Sequence, residues 1–128
     1  MYEINMQKEN QFSYVYKAKN SKNQLLTLNV YQSVDDNWNV MFFITSKRKH
    51  GYQRLKQTGK DGVQSLIWAK NCVLDWIKNV QERRFQSGPI KLFVYADDKR
   101  RMKVYKRALI PLGFQVEKSA QAPLFITL

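Results

Sequence analysis

The sequence is poor in the residues that build disulfide, metal or loop-rich structures. Its 128 residues include one cysteine, one histidine, three prolines and five glycines. A single cysteine cannot form an internal disulfide, so nothing in the chain requires an oxidising compartment. The histidine and Cys72 stand far apart, which excludes the ligand spacing of a zinc site, and we predict no metal. The low glycine and proline content excludes a collagen-like or linker-like chain.

Long apolar runs are also missing. No stretch approaches the roughly 20 residues that a membrane-spanning helix needs, and the first residues, Met-Tyr-Glu-Ile-Asn-Met, do not have the pattern of a signal peptide. We therefore predict a cytoplasmic protein with no membrane partner. Hydrophobic residues make up 44% of the chain, enough for the core of a single domain over residues 1–128.

Acidic residues are scarce compared with basic ones. Ten Asp and Glu stand against 22 Lys and Arg, which gives a net charge of +12. Such a surplus favours a polyanionic partner, either nucleic acid, a phosphorylated ligand or an acidic protein surface. Twelve of the basic residues lie in two segments, 47–60 and 99–107. The candidate polyanion-binding residues are Lys47, Arg48, Lys49, Arg54, Lys56, Arg100, Lys103 and Arg107. The alternative is two solvated basic faces.

Hydropathy alternation predicts three strands in the first half of the chain, over residues 12–18, 24–31 and 38–45. Turn-forming residues separate them at 20–23 and 35–37. The third strand is apolar on both faces, so we expect it to be central and covered on both sides. Residues 46–60 follow as a basic loop.

Helical spacing then predicts a long helix over residues 61–80. Its main apolar stripe consists of Val63, Leu66, Ile67, Val73, Leu74, Ile77 and Val80, and a second stripe consists of Ala69, Cys72 and Trp76. A strand over 90–96, a helix over about 99–110 and strands over 114–118 and 123–128 complete the chain. The predicted fold is mixed α+β, with a mostly antiparallel sheet of about six or seven strands and two main helices. The predicted order is β-β-β-α-β-α-β-β, with room for a short leading strand near 2–6.

This order, with a glycine-containing basic loop before a long helix, resembles the GNAT superfamily of N-acetyltransferases. In that family the loop reads Q/R-x-x-G-x-G/A, and residues 57–62 read Gln-Thr-Gly-Lys-Asp-Gly. Residues 104–114, Val-Tyr-Lys-Arg-Ala-Leu-Ile-Pro-Leu-Gly-Phe, look like the family's late helix running into a Gly-Phe strand start. The resemblance covers about residues 12–128.

The resemblance implies an acyl-CoA site with acetyl-CoA as cofactor. Its phosphate-binding residues would be Gln57, Thr58, Gly59, Lys60 and Gly62. A helix N-terminus favours phosphate through its unpaired N–H groups and its dipole. The edge of the strand over 38–45, including Ile44, would hold the pantetheine arm. Lys60 stands where the family has its first loop glycine.

The catalytic residues are less clearly marked than the cofactor loop. The family's general-acid tyrosine corresponds to Leu109 here, so Tyr105, one helical turn earlier, is the candidate. His50 is interpreted as a surface residue, and Asp97 or Asp98 as a helix cap.

Two functions therefore stay open. The first is a GNAT-like acyl-CoA-binding domain of reduced size, an N-acyltransferase if catalysis survives. The second is a non-catalytic basic module that binds nucleic acid or inhibits a nucleic-acid-handling protein.

Overall fold

A computed structural model describes residues 2–48, 51–54, 62–83, 88–96, 99–119 and 121–128, with the backbone alone for 46–48, 51–54, 62 and 63. The strands are β1 (Met6–Asn10), β2 (Ser13–Lys19), β3 (Leu25–Gln32), β4 (Trp38–Arg48), β5 (Gly51–Arg54), β6 (Lys91–Val94), β7 (Gln115–Val116) and β8 (Leu124–Thr127). The helices are α1 (Gly62–Glu82) and α2 (Lys99–Leu109), and a 3-10 turn (Ile110–Leu112) follows α2.

The strands form one sheet in the order β1-β2-β3-β4-β6-β8-β7, with β5 paired to β4 outside this path. The pairing of β4 with β6 is parallel and every other described pairing is antiparallel. The prediction of a mixed α+β fold with a mostly antiparallel sheet and two helices is confirmed. Neither described helix combines the length and the hydropathy that a membrane span requires.

Several predicted boundaries were wrong. The leading strand lies at Met6–Asn10 and not at 2–6. The predicted loop over 46–60 begins instead as a hairpin, because β4 continues to Arg48 and pairs with β5 through Arg48 and Gly51. The final strands are also shorter than predicted, with two and four residues.

The two sequence-predicted turns between the first strands are confirmed. Asn23 and Asp36 adopt left-handed backbone angles, with φ of 58° and 67°, a conformation that Asn and Asp tolerate better than most residues. Asn20 organises the first turn, since its Oδ1 accepts hydrogen bonds from the N–H groups of Lys22 and Gln24 at 3.0 and 2.9 Å. Its Nδ2 reaches Ser65 Oγ on α1 at 3.4 Å. The β2–β3 turn is thereby held against the start of α1.

The core lies between one face of the sheet, called here the helix face, and the two helices. Tyr14, Trp38 and Trp76 pack together there, with ring centroids 5.2–6.2 Å apart. The residues of α1 that are buried against the sheet are Ser65, Trp68, Ala69, Cys72, Val73, Trp76, Ile77 and Val80. Both predicted stripes therefore contribute to the core, and the correction concerns Ile67 of the main stripe, which is 38% exposed.

The opposite face of the sheet carries no described helix. Met41 and Phe43 of β4 point to this face and are only half-buried. The expectation that the third predicted strand is covered on both sides was therefore wrong for the part of the chain that the structure describes. Aromatic neighbours shield the face locally, as Phe93 lies 6.3 Å from Tyr95 and 5.8 Å from Phe125 between ring centroids.

A buried polar contact links the sheet to α1. The hydroxyl of Tyr16 donates a hydrogen bond to Asp75 Oδ2 at 2.9 Å, and Asn79 Nδ2 donates to the Asp75 carbonyl at 2.9 Å. Burial, and then the Asp75 carboxylate, raise the pKa of Tyr16 far above its ordinary value. Burial also raises the pKa of the Cys72 thiol, so Cys72 acts as a small core residue and not as a nucleophile.

Replacement of Trp76 by alanine should destabilise the protein severely. Large-to-small changes of buried aromatic side chains remove transfer free energy and leave a cavity, so we expect the free energy of unfolding to fall by about 3–5 kcal/mol. Urea denaturation measures this. The matched control is Ile67→Ala on the same helix, which should cost less than about 1 kcal/mol because the side chain is largely exposed. Equal losses in the two variants would contradict the burial of Trp76 and the exposure of Ile67.

Stability should fall above about pH 10, the ordinary pKa of tyrosine. The raised pKa of Tyr16 means that the folded state keeps a proton that the unfolded state loses, so its contribution is present below that pH and is lost as the pH rises. Tyr16→Phe should cost about 1–2 kcal/mol at pH 8, and the difference from the parent should shrink towards pH 11. Parallel stability curves for the two proteins would refute this assignment.

Candidate functional site

The centre of the sheet is marked by a short parallel ladder. β4 and β6 pair at three positions, Trp38 with Leu92, Asn39 with Phe93 and Val40 with Val94. Beyond Val40, β4 continues for eight residues, whereas β6 ends at Val94. The described ladder between β4 and β6 thus ends at Val40, near the middle of β4.

The hairpin strand β5 pairs with β4 further along the strand. Thr45 pairs with Leu25 of β3 and also with Arg54 of β5. Because a strand residue has one neighbour on each side, β5 must lie on the same side of β4 as β6. The stretch 41–44, called here the gap, therefore lies between the β4–β6 ladder, which ends at the Val40–Val94 pair, and the β4–β5 pairing.

A cleft opens on the helix face beside this gap. The sheet contributes Leu28, Val40, Phe42 and Val94 to its lining, and α1 contributes Leu66, Ala69 and Val73 among others. The space within the cleft is about 460 Å³, a figure that includes the part open to solvent. The Val40–Val94 pair is shared by the cleft floor and the end of the parallel ladder.

Helix α2 forms the remaining wall of the cleft. Val104, Tyr105, Ala108 and Leu109 line it, and Val104 is 37% exposed at the rim. Lys70 of α1 also lines the cleft and is half-buried. The side chains with polar groups that line the cleft are thus Lys70, Tyr95 and Tyr105, set in apolar surroundings.

Tyr105, the predicted catalytic residue, faces this cleft. It lies one turn before Leu109, which is 5% exposed and lines the same cleft. A tyrosine has to be within hydrogen-bond reach of the group that it protonates, so a place on the cleft is necessary for a general acid. The position that matches the family's tyrosine is filled by a leucine, which can only contribute packing.

The turn that contacts the first residues of α1 carries two lysines. The first turn of α1, described from Gly62, contains no acidic residue, and the Asn20–Ser65 contact brings the β2–β3 turn to it. Lys19 and Lys22 flank Asn20 and are exposed. Sequence reasoning missed these two lysines, because only the Asn20–Ser65 contact across 45 residues brings them to the helix start.

Helix α2 presents a row of cations on its outer side. Arg100, Lys103 and Arg107 are exposed and follow one another at spacings of three and four residues, so they share one face. No ion pair joins them to an acid in the part of the chain that the structure describes. Arg101, by contrast, is 7% exposed and belongs to the interior.

Several predicted site residues lie outside the described residues or are described by backbone alone. Gln57, Thr58, Gly59, Lys60, Lys49 and Lys56 fall outside, as do His50, Asp97 and Asp98. Gly62, Lys47, Arg48 and Arg54 have a described backbone only. Ile44 is described fully, and its side chain is 1% exposed in the core. Its role at the gap would therefore belong to its backbone.

Among the described residues no group of three or more His, Cys, Asp or Glu side chains could hold a metal ion. The chain matches no protein-family model, no curated protein and no solved structure. Its function must therefore be inferred from its own residues and their geometry.

Proposed function

We propose that the protein is an acyl-CoA-binding domain of the GNAT type. The observation that carries this proposal is the Val40–Val94 pair, which ends the short parallel ladder and also forms the floor of an apolar cleft. In the arrangement that the resemblance implies, the pantetheine arm lies along the edge of the third predicted strand. The part of β4 beside which such an arm would lie is the stretch 41–44, between the pairings of this strand with β6 and with β5.

The phosphate groups would lie at the start of α1. The helix dipole and the unpaired N–H groups of a helix N-terminus favour an anion there. The described first turn holds no carboxylate, and Asp61 directly precedes it in the sequence. Lys19 and Lys22 add positive charge from the neighbouring turn, and residues 57–60 of the predicted phosphate loop directly precede the helix in sequence. Helix α1 contacts the β2–β3 turn, which carries these lysines, through Ser65. Further along, its side chains line the cleft.

Acyl transfer within this site would depend first on positioning. Holding a thioester and an amine in contact supplies much of the barrier reduction in such reactions. When the amine attacks, the carbonyl carbon gains the C–N bond and the C–S bond breaks, so the departing thiolate takes a proton. Tyr95 and Tyr105 both line the cleft, and Tyr105, one turn before Leu109, is the residue that we assign as the proton donor.

Acetyl-CoA should bind with a dissociation constant between about 1 μM and 1 mM, the usual range for enzyme substrates. Lys60→Glu should weaken binding at least about tenfold, because a charge-assisted hydrogen bond contributes about 1.5–3 kcal/mol. Isothermal titration calorimetry measures both. The control is Lys78→Glu, which makes the same change of charge. Lys78 lies about 24 Å along α1 from its first residue, Gly62, at 1.5 Å per residue. An absence of heat with millimolar acetyl-CoA would reject the proposal.

The cation row on α2 favours a second candidate function, binding to a nucleic acid. CoA has only a few phosphate charges, whereas Arg100, Lys103 and Arg107 extend the positive surface to the outer side of α2. This row lies on a different side of the helix from Tyr105 and Ala108, which face the cleft. A polyanion could therefore bind the outer side of α2 without entering the cleft.

A salt titration tests this candidate. The logarithm of the affinity for duplex DNA should fall against the logarithm of salt concentration, with a slope of about −0.9 per phosphate contacted. The triple variant Arg100→Glu, Lys103→Glu, Arg107→Glu should abolish this binding and leave the affinity for acetyl-CoA within about threefold, since the changes lie outside the cleft. A control with Lys8, Lys78 and Lys118 changed to Glu has the same net charge. Equal weakening by both triple variants would show that net charge alone attracts the DNA.

A further inference from the structure

The face of the sheet opposite the two helices, called here the open face, carries a row of aromatic side chains. The register places Tyr31, Asn39, Phe93 and Phe125 side by side on β3, β4, β6 and β8, and residues opposite one another project from the same face of a sheet. Successive residues alternate between the faces. Because Val40 lies on the helix face, this row lies on the open face. Its aromatic members, Tyr31, Phe93 and Phe125, are called here the aromatic patch.

The aromatic patch is packed at its centre and partly exposed at its sides. Phe93 is 6% exposed, and its ring centroid lies 5.8 Å from that of Phe125. Phe125 and Tyr31 are half-buried, so each leaves part of its side chain in contact with water. Tyr95, which also lines the cleft, is 38% exposed, and its ring stacks against Phe93 at 6.3 Å between centroids. Such rings offer flat surfaces on which another planar group can stack.

The charged residues that the described central strands place on the open face are lysines. Over residues 13–19, 25–32, 38–45, 91–94 and 124–127, the positions on this face include Lys17, Lys19 and Lys91 and no Asp or Glu. All three are exposed, and no ion pair joins them to an acid in the part of the chain that the structure describes. Lys91 Nζ lies 5.5 Å from the centroid of the Phe125 ring. Lys19 also flanks Asn20 at the start of α1, so Lys17 and Lys91 are called here the open-face lysines.

Two acids lie beside the patch, outside these strands. Burial, followed by Glu117, Tyr31 and Asp35, raises the pKa of Tyr95, so both carboxylates lie within electrostatic range of its hydroxyl. They would repel a phosphate at that hydroxyl. A ligand of this face should therefore place its phosphates at the open-face lysines and its uncharged groups on the aromatic rings.

A single-stranded nucleic acid presents both kinds of group. Its bases are planar and stack on aromatic side chains, which tightens binding about 5- to 150-fold per base, and its phosphates pair with cations. Sheets with exposed aromatic residues bind unpaired bases in this way. In a duplex the bases stack on one another, so a duplex could contact only the lysines.

We propose that the open face binds a single-stranded nucleic acid, whose bases stack on the aromatic patch and whose phosphates contact the open-face lysines. This site differs from the proposed acyl-CoA site, which lies on the helix face, and from the cation row on the outer side of α2. The inference therefore goes beyond the proposed function and does not depend on it.

Fluorescence anisotropy measures this binding with a labelled thymidine oligonucleotide of about 12 residues, within the site sizes of single-strand-binding domains. The comparison is an abasic strand of the same length, which keeps the phosphates and lacks the bases. The thymidine strand should bind at least about 25-fold more tightly, since two stacked bases each contribute about fivefold or more. The logarithm of its affinity should fall against the logarithm of salt concentration with a slope of about −1.4 or steeper, at about −0.7 per phosphate contacted.

Removal of single rings locates the bound strand. Tyr31→Ala and Phe125→Ala should each weaken binding of the thymidine strand about 5- to 150-fold and leave that of the abasic strand within about twofold. Phe125→Tyr keeps a ring and should restore the affinity. Tyr31→Trp provides a larger ring and should tighten binding, a gain that a misfolded protein could not show. The control is Phe42→Ala, which removes a half-buried ring from the helix face and should leave both affinities unchanged.

Charge reversal tests the phosphate contacts. Lys17→Glu together with Lys91→Glu should weaken binding of both strands at least about tenfold, because each charge-assisted contact contributes at least that much. The matched control is Lys8→Glu together with Lys78→Glu, which makes the same change of net charge away from the patch. Equal weakening by the two double variants would overturn the assigned phosphate contacts.

The outcomes separate this inference from the other proposals. Equal affinities for the thymidine and abasic strands would overturn it, because charge alone would then account for the binding. It would also be overturned if the triple variant of α2 abolished binding and the two alanine variants of the patch did not, since the strand would then lie on α2. An absence of binding at about 100 μM, the weak end of non-specific nucleic-acid binding, would reject it and leave the acyl-CoA proposal to its own calorimetric test.

Discussion

The parallel pairing of β4 with β6 is the constraint on which the rest of the structure depends. Parallel neighbours cannot be joined by a tight turn, so the chain between them must cross over one face of the sheet. Here α1 makes that crossing, and its buried side chains cover Trp38, Val40 and Leu92 near the ladder. With only three residue pairs, the ladder ends while β4 still has eight residues to run. The gap and the cleft floor both follow from this early end.

The same short ladder explains why α2 stands where it does. β6 leaves the sheet after Val94, and the chain enters α2 at Lys99 a few residues later. Ala108 and Leu109 then pack over the end of the ladder, and Gly113, in a left-handed conformation with φ of 105°, turns the chain back towards the sheet. Glycine suits this position because a side chain there would be strained. The cleft is the space left where α1 and α2 meet the sheet without closing over it.

Much of this architecture was predictable from the sequence, because strand alternation and turn residues are local signals. The three central strands, both helices and the turns at Asn23 and Asp36 are such cases. The limits of the buried face of α1 were not, since two apolar stripes adjoin on the helix and a 3.6-residue period does not tell that Ile67 lies outside it and Ser65 within it. Tertiary contacts decide it: Trp68 Nε1 donates a hydrogen bond to the Glu3 carbonyl at 2.9 Å, and Ser65 contacts Asn20. These partners lie 65 and 45 residues away.

Of the candidate site the sequence predicts Tyr105 and a phosphate-binding loop, whose residues 57–60 lie outside the described part of the chain. The apolar cleft depends on long-range packing. Leu28, Phe42 and Val73 each read as ordinary core residues, and nothing local distinguishes them from Leu26 or Ile44, which are fully buried. Leu28 and Val73 are themselves 1% and 3% exposed, so only the placement of α1 and α2 over the sheet assigns them to the cleft lining. For the same reason Lys19 and Lys22 could not be assigned to the start of α1 before the β2–β3 turn was placed.

The positive charge and the apolar cleft restrict the choice of ligand more when they are considered together than either does alone. Cations alone would attract any polyanion, and an apolar cleft alone would accept many lipophilic molecules. Here α1 links both, with the cations of the β2–β3 turn at its start and Leu66, Ala69 and Val73 along the cleft. A ligand that satisfies both surfaces at once must carry phosphate at one end and an aliphatic group at the other. An acyl-CoA thioester has this form, whereas a nucleic acid can use only the cations and would leave the cleft empty.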